Sequence, residues 1–263
     1  MIGYIIGAIL IVGGALMAWL IPRRLKNKIL EIKFMKTTPI GELKAILTDN
    51  AKAGLEGYRH YVELKGKAGS DKTVKAPYSE KKVAYYDAKL YQVYEERRTY
   101  RDDNGVTHES MVRNESLLSD QKSSDTITIK NEDSADKVYV NPSQSGLRFD
   151  TMKTLDRFEP VNNMKNYSFF SGFNYRSMGA RTLGFRMIEN TIPLDHTLYL
   201  LGEAWLEGSR IAFGRPRDAK KPSLLSAKSE AEIIKSNKTK VNLAIVFGIL
   251  VIVGGILIMI FIR

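Results

Sequence analysis

Two uncharged apolar runs, one at each end of the chain, constrain the fold more than any other feature. Ile2 to Ile21 and Leu243 to Ile262 are each 20 residues long and contain no Asp, Glu, Lys or Arg. As helices rising about 1.5 Å per residue, each spans about 30 Å, the thickness of a bilayer's hydrocarbon core. A core helix of this length carries a polar stripe, and neither run has one. Both runs therefore read as membrane spans. The first has no basic segment before it and ends in Trp19-Leu20-Ile21-Pro22-Arg23-Arg24 rather than in small residues. It reads as an uncleaved anchor and not as a signal peptide. Gly3 and Gly7 form a GxxxG, and Gly14 and Ala18 a small-xxx-small pair. Such spacing lets helix backbones approach closely, although glycine is also common in membrane helices for other reasons. Gly248, Gly254 and Gly255 offer a matching surface on the second run.

The formal charge of +11 ordinarily points to nucleic acid or to an acidic membrane. Its distribution separates the two. Residues 23–36 carry Arg23, Arg24, Lys26, Lys28, Lys33 and Lys36 against Glu31. Residues 215–240 carry Arg215, Arg217, Lys220, Lys221, Lys228, Lys235, Lys238 and Lys240 against Asp218, Glu230 and Glu232. These two collars hold a surplus of ten positive charges, and residues 37–214 are neutral, with 25 basic and 25 acidic residues. A neutral domain lacks the basic footprint that phosphate backbones require, so no nucleic-acid partner is expected. Arg23, Arg24, Lys26, Lys28, Lys235, Lys238 and Lys240 are instead candidates for contact with anionic headgroups. Because both collars flank the same loop, the positive-inside rule puts that loop in the cytoplasm and both termini outside.

Between the anchors the first element is helical. Thr38 is the expected N-cap and Pro39 the first helical residue. Ile40, Leu43, Leu47 and Ala51 then share one face. Before them Leu25, Ile29 and Ile32 form an apolar stripe among basic residues. That stretch fits either a helix lying on the membrane surface or one leading off the first span. From Gly57 the chain turns to strand. Tyr61 to Leu64 is the first expected strand, with Lys65 to Asp71 as a turn. Val83 to Tyr100 reads as one long strand or two, followed by a hairpin turn at Asp103-Asn104-Gly105 and a return strand from Val106 to Arg113. Shorter strands are expected at 126–129, 138–140 and 147–150. Residues 156–180 read as a long loop holding at most a short helix, and 197–204 as the last clear strand. Ser229 with Glu232 forms a capping box that starts a helix running into the second span. The expected class is α+β: two transmembrane helices flanking a mainly antiparallel β domain with peripheral helices. The expected divisions are 1–22, the first anchor; 23–56, a basic juxtamembrane and helical segment; 57–214, the β-rich domain; 215–240, a basic linker and helix; and 241–263, the second anchor.

No catalytic or metal constellation is apparent. Cysteine is absent, which excludes thiolate chemistry and every Cys-ligated zinc site. His60, His108 and His196 stand alone in polar stretches, each read as solvated or hydrogen-bonded. Neither a G-x-S-x-G elbow nor a P-loop occurs. The acid pairs Glu95-Glu96 and Asp102-Asp103 point to opposite faces of a strand and read as surface charge. No catalytic residue, cofactor or metal is expected.

Several short motifs occur in order between the spans: Val62-Glu63-Leu64-Lys65-Gly66-Lys67-Ala68, Ala76-Pro77-Tyr78-Ser79, Val83-Ala84-Tyr85-Tyr86, Gly184-Phe185-Arg186 with Glu189, Ile192-Pro193, Leu198-Tyr199-Leu200-Leu201-Gly202-Glu203-Ala204, and Lys221-Pro222-Ser223-Leu224-Leu225-Ser226 with Lys228-Ser229-Glu230. In this arrangement the chain resembles the GIDE-type membrane domain of a family of mitochondrial E3 ubiquitin ligases. The resemblance covers about residues 57–235 plus both anchors. Ala84 stands where relatives often carry Cys, and Asp195-His196 stands where a glycine is expected. The resemblance implies ubiquitin transfer through a RING, whose zinc ligands are Cys and His. The 263 residues contain no Cys and cannot supply that module, so the expected protein is a RING-less short relative. It also implies a domain facing the intermembrane space, whereas the charge distribution favours the cytoplasm. Three functions are weighed: a non-catalytic membrane-anchored interaction or scaffold module that binds a protein partner or a second copy; a ligase-type protein, on the resemblance alone; and a small-ligand or lipid sensor using residues 156–180 and the tyrosines of 85–100.

Overall fold

The computed structural model describes residues 2–132, 134–143, 147–166 and 180–261. Its helices are α1 (Ile2–Phe34), α2 (Ile40–Lys52) and α3 (Glu230–Phe261). The apolar runs lie in α1 and α3, the two described helices long and apolar enough to cross a membrane. They pack antiparallel, with Gly7 facing Gly255 and Gly14 facing Gly248. Helix α1 passes through Pro22 and continues beyond the apolar run. The basic stretch with Leu25, Ile29 and Ile32 is thus a helix leading off the first apolar run. Ile32 is buried with Tyr199, Leu201, Leu224 and Ile233, so it packs on protein.

The strands are β1 (Arg59–Ser70), β2 (Val74–Lys75), β3 (Lys82–Arg101), β4 (Thr107–Lys122), β5 (Ile127–Lys130), β6 (Lys137–Val140), β7 (Phe149–Asp150), β8 (Met152–Pro160), β9 (Ala180–Pro193), β10 (Thr197–Glu207), β11 (Arg210–Gly214) and β12 (Leu224–Ser226). In the first sheet β1 pairs β5, β5 pairs β6, β6 pairs β11, β11 pairs β10, and β10 pairs β1 again. These pairings close a ring of five strands, which leaves no free edge in that circuit. Only β6–β11 is parallel within the ring. Strand β12 pairs with β10 along the same edge as β11, nearer the start of β10, and β7 pairs with β12. Val62, Leu64, Ile129, Val138, Leu200 and Phe213 belong to the buried core of this sheet. Ile40, Leu43 and Leu47 of α2 join the same core. The second sheet runs β4-β3-β9-β8, with β2 beside the start of β3. Its smaller core gathers Tyr78, Ala88, Leu90, Phe185 and Met187.

The α+β class with two flanking apolar helices and a mainly antiparallel centre stands. Four local expectations are corrected. The N-cap of α2 is Pro39, with no side-chain cap bond, and Ala51 is exposed. Thr38 is instead drawn to the sheet, its N–H donating to the Glu63 carbonyl at 2.9 Å. Residues 65–70 are strand, not turn. Gly66 allows β5 to approach, because a Cβ there would lie 2.5 Å from Ile129 Cγ2. The expected loop at 156–180 is strand through Pro160, then a 3-10 turn at Val161–Asn166, then strand again from Ala180. Its segment 167–179 lies outside the described residues. Finally, 197–204 is not the last strand, because β11 and β12 follow.

Other expectations match in detail. Residues 83–100 lie in one continuous strand, and the hairpin follows as the charge and turn residues indicate. Asp102 accepts the N–H of Asn104 at 3.0 Å and of Val106 at 2.8 Å, with Gly105 at φ 81°. Ser229 and Glu232 form the capping box: the Ser229 N–H donates to Glu232 Oε2 at 2.8 Å and the Glu232 N–H to Ser229 Oγ at 3.3 Å. Asp195 sits at φ 58° in the turn between β9 and β10. That left-handed conformation favours glycine and is next most accessible to Asp and Asn, which explains the departure from the expected glycine.

Candidate functional site at the helix–barrel junction

The helices meet the β domain where the apolar runs give way to charge. Thr37, just past α1, bridges to Glu63 of β1. Glu63 is 1% exposed. Its carboxylate accepts from Thr37 Oγ1 at 2.6 Å and from Tyr199 Oη at 2.7 Å. Lys65 Nζ lies 3.4 Å from Glu63 and 2.9 Å from Glu230, the first residue of α3. One buried acid thus ties together the exit of α1, strands β1 and β10 and, through Lys65, the entry of α3. A buried charge survives only with this degree of compensation. Burial and the bond to Glu63 push the Tyr199 hydroxyl far above its ordinary pKa, so it remains a donor. Burial of Lys65 opposes its charge, but Glu230 and Glu63 outweigh it and raise its pKa. With both oxygens occupied, the Glu63 carboxylate is a clamp, not a free base.

Beside the clamp lies a cavity of about 590 Å³, lined in part by Lys65, His196, Tyr199, Ser229, Glu232 and Ile234. His196 Nε2 is 2.7 Å from the Ala227 carbonyl. His60 pairs with Tyr58 at 3.0 Å, and His108 with Asp102 at 2.9 Å. The three histidines therefore serve three separate local contacts. Among the described residues no group of three or more His, Asp or Glu is placed to hold a metal. Tyr85 is buried and stacks on Phe149 at 5.0 Å between centroids.

Of the candidate packing residues, Gly7, Gly14 and Ala18 face α3. A Cβ on Gly7 would lie 2.6 Å from the Gly255 carbonyl, and one on Gly14 2.8 Å from the Gly248 carbonyl. A Cβ on Gly248 would lie 2.7 Å from the Ala18 methyl. Gly3 is buried on the same helix. Of the collar, Arg23, Arg24, Lys26, Lys235, Lys238 and Lys240 are exposed and Lys28 is half-buried. Lys28 and Lys240 come together at one notch, whereas the other five do not line it. Two functional elements escaped the sequence reading: the Glu63 clamp and the contribution of Arg148 to that notch. Alternation in β1 marks Glu63 as lying on an inner or outer face, but only the tertiary pairing identifies its partners.

A second buried acid works differently. Glu189 of β9 is fully buried and accepts the N–H groups of Tyr78 at 2.5 Å and Ser79 at 3.1 Å. It holds the Ala76–Ser79 turn against the second sheet, so two motifs far apart in sequence form one structural unit.

A mainly antiparallel β domain clamped to an antiparallel pair of long apolar helices defines the class of this protein. The family model named GIDE, described as E3 ubiquitin ligase, matches residues 95–259. The match takes in more than half of the chain, and the chain belongs to the GIDE family. It begins within β3, downstream of the motifs at 62–68, 76–79 and 83–86. Searches against curated proteins and against solved structures returned no significant match.

Proposed function

We propose that the protein is a two-pass membrane-anchored GIDE-type interaction or scaffold module, non-catalytic by itself. Its β domain faces the cytoplasm, both termini lie outside, and the domain binds a protein partner or a second copy beside the membrane. The carrying observation is the junction. Ile32 of α1 and Ile233 of α3 share one buried cluster with Tyr199, Leu201 and Leu224, so the domain is held against the ends of both helices. A domain fixed in this way presents a constant face at a constant height above the bilayer. The basic collars support the cytoplasmic placement.

The family description favours a second reading, participation in ubiquitin transfer. A RING needs Cys ligands for zinc, and these 263 residues contain none. On this reading the chain positions a ligase or a substrate, and the zinc module lies outside these 263 residues. Purified protein mixed with ubiquitin, activating enzyme and a panel of conjugating enzymes is expected to form no ubiquitin chains. Chain formation by this protein alone overturns the non-catalytic reading. A crosslinked pull-down from solubilised membranes is expected to recover a discrete partner or a dimer, and recovery of neither contradicts the scaffold role.

A further inference from the structure

Three cations converge where α1, α3 and the β domain meet, and none has an ion-pair partner among the described residues. Lys28 of α1, Lys240 of α3 and Arg148, just before β7, line a polar notch of about 100 Å³ together with Asp150, Lys228, Ser236 and Asn237. Asp150 is the carboxylate of this set, and it is already engaged. It pairs with Lys228 at 3.1 Å and accepts from Ser226 Oγ at 3.3 Å. The local balance is four cations to one anion. Burial first, and then the charges of Arg148 and Lys240, lower the pKa of Lys28, with Asp150 opposing them. The three positive groups therefore repel one another.

A second observation is independent of charge. Asn237 lies in the buried stripe of α3 that includes Ile233, Val241 and Ala244. It is 5% exposed, and its Nδ2 is buried with no hydrogen-bond partner. An orphaned buried donor is destabilising and calls for an explanation. An acceptor-rich anion in the notch supplies one.

We propose that this notch binds a phosphate group, carried by an anionic lipid headgroup, through Lys28, Arg148, Lys240 and the Asn237 amide. Phosphate offers only acceptors, and apart from Asp150 these lining groups are donors. The depth fits a lipid source. Lys240 is three residues before the second apolar run and Lys28 seven after the first. At helical rise these offsets are about 5 Å and about 10 Å from the hydrocarbon boundary, within the headgroup layer for Lys240 and a few ångströms beyond it for Lys28, a gap the long lysine side chain spans. The inference rests on the two-span reading and extends it from diffuse collar contact to one defined site.

The test uses the full chain reconstituted in phosphatidylcholine nanodiscs doped with phosphatidic acid, then extracted and weighed by native mass spectrometry. Phosphatidic acid is expected to stay bound, at about one per chain. Arg148→Ala and Lys240→Ala, both at exposed positions, and Asn237→Ala are each expected to weaken retention about tenfold or more. Lys36→Ala, in the collar but neither a headgroup-contact candidate nor part of the notch, is expected to leave it unchanged. Equal losses for Lys36→Ala and Arg148→Ala would overturn the site in favour of diffuse attraction, and no retention by the unsubstituted chain would overturn it outright. Millimolar inorganic phosphate is expected not to displace the lipid, and full displacement contradicts the lipid source. Failure of the two-span reading is separately visible, because the chain would then not enter nanodiscs or pellet with membranes.

Discussion

The barrel turns its apolar side chains inward, whereas the helix pair turns most of them outward. Leu200 of β10 is fully buried, opposite Leu64 on one side and Leu225 on the other. Leu250 of α3 is 61% exposed. On the two-span reading the same side chain thus has two different solvents. In the barrel, water drives the leucine into a closed ring of strands. In the helix pair, only the small-residue seam is buried, and packing of backbone on backbone holds the helices together. The outward apolar surface of α1 and α3 is unstable in water and suited to lipid. This difference explains why one chain combines a neutral, alternating β domain with two uncharged, unpatterned runs.

The comparison is broken most sharply by one substitution made in both regions. Leu200→Ala is expected to destabilise the β domain by about 2–5 kcal/mol, the usual cost of a cavity in a closed core. Leu250→Ala is expected to change stability by less than about 0.5 kcal/mol. Thermal unfolding in detergent, followed through the strand signal, reads both. Similar losses would mean that Leu250 is packed against protein. Gly14→Leu tests the seam itself. Its side chain would meet the Gly248 carbonyl and Ile252, and the loss expected for overpacking is about 1–3 kcal/mol. The effect should appear in the helical signal while the strand signal is retained. A loss smaller than at the seam is expected at the boundary between the regions. Ser229→Ala removes the cap that starts α3 and is expected to cost about 1 kcal/mol. A zero effect would show that the neighbouring Lys65–Glu230 pair alone fixes that helix end.

Local chemistry made some elements legible and left others hidden. The spans, the long strand β3, the Asp102–Val106 hairpin and the Ser229–Glu232 box each depend on residues adjacent in sequence, and each was readable. Residues 65–71 misled because glycine marks a turn as readily as a close strand approach. Only β5, contributed from 60 residues later, distinguishes the two at Gly66. Residues 156–160 of β8 read as loop, and β9 beyond Ala180 carries no strand expectation, because much of their stabilisation is cross-strand. Arg186 in β9 pairs with Asp156 in β8 at 2.7 Å, and polar pairing of this kind leaves no apolar alternation. At the junction the same limit applies. The collar lysines were visible as charge, but Arg148, Asn237 and the Glu63 clamp are brought to them by tertiary contacts alone.

The account depends above all on residues 23–240 forming one body on the cytoplasmic side of the membrane. The chain contains no cysteine, so single-cysteine variants report without background. Lys72→Cys, Asn104→Cys and Lys220→Cys probe three exposed positions well separated in the β domain. With a membrane-impermeant maleimide, all three are expected to stay unlabelled in intact cells and to label fully once the membrane is permeabilised. Labelling of all three in intact cells would reverse the orientation, and labelling of only some would contradict a single domain held between two spans.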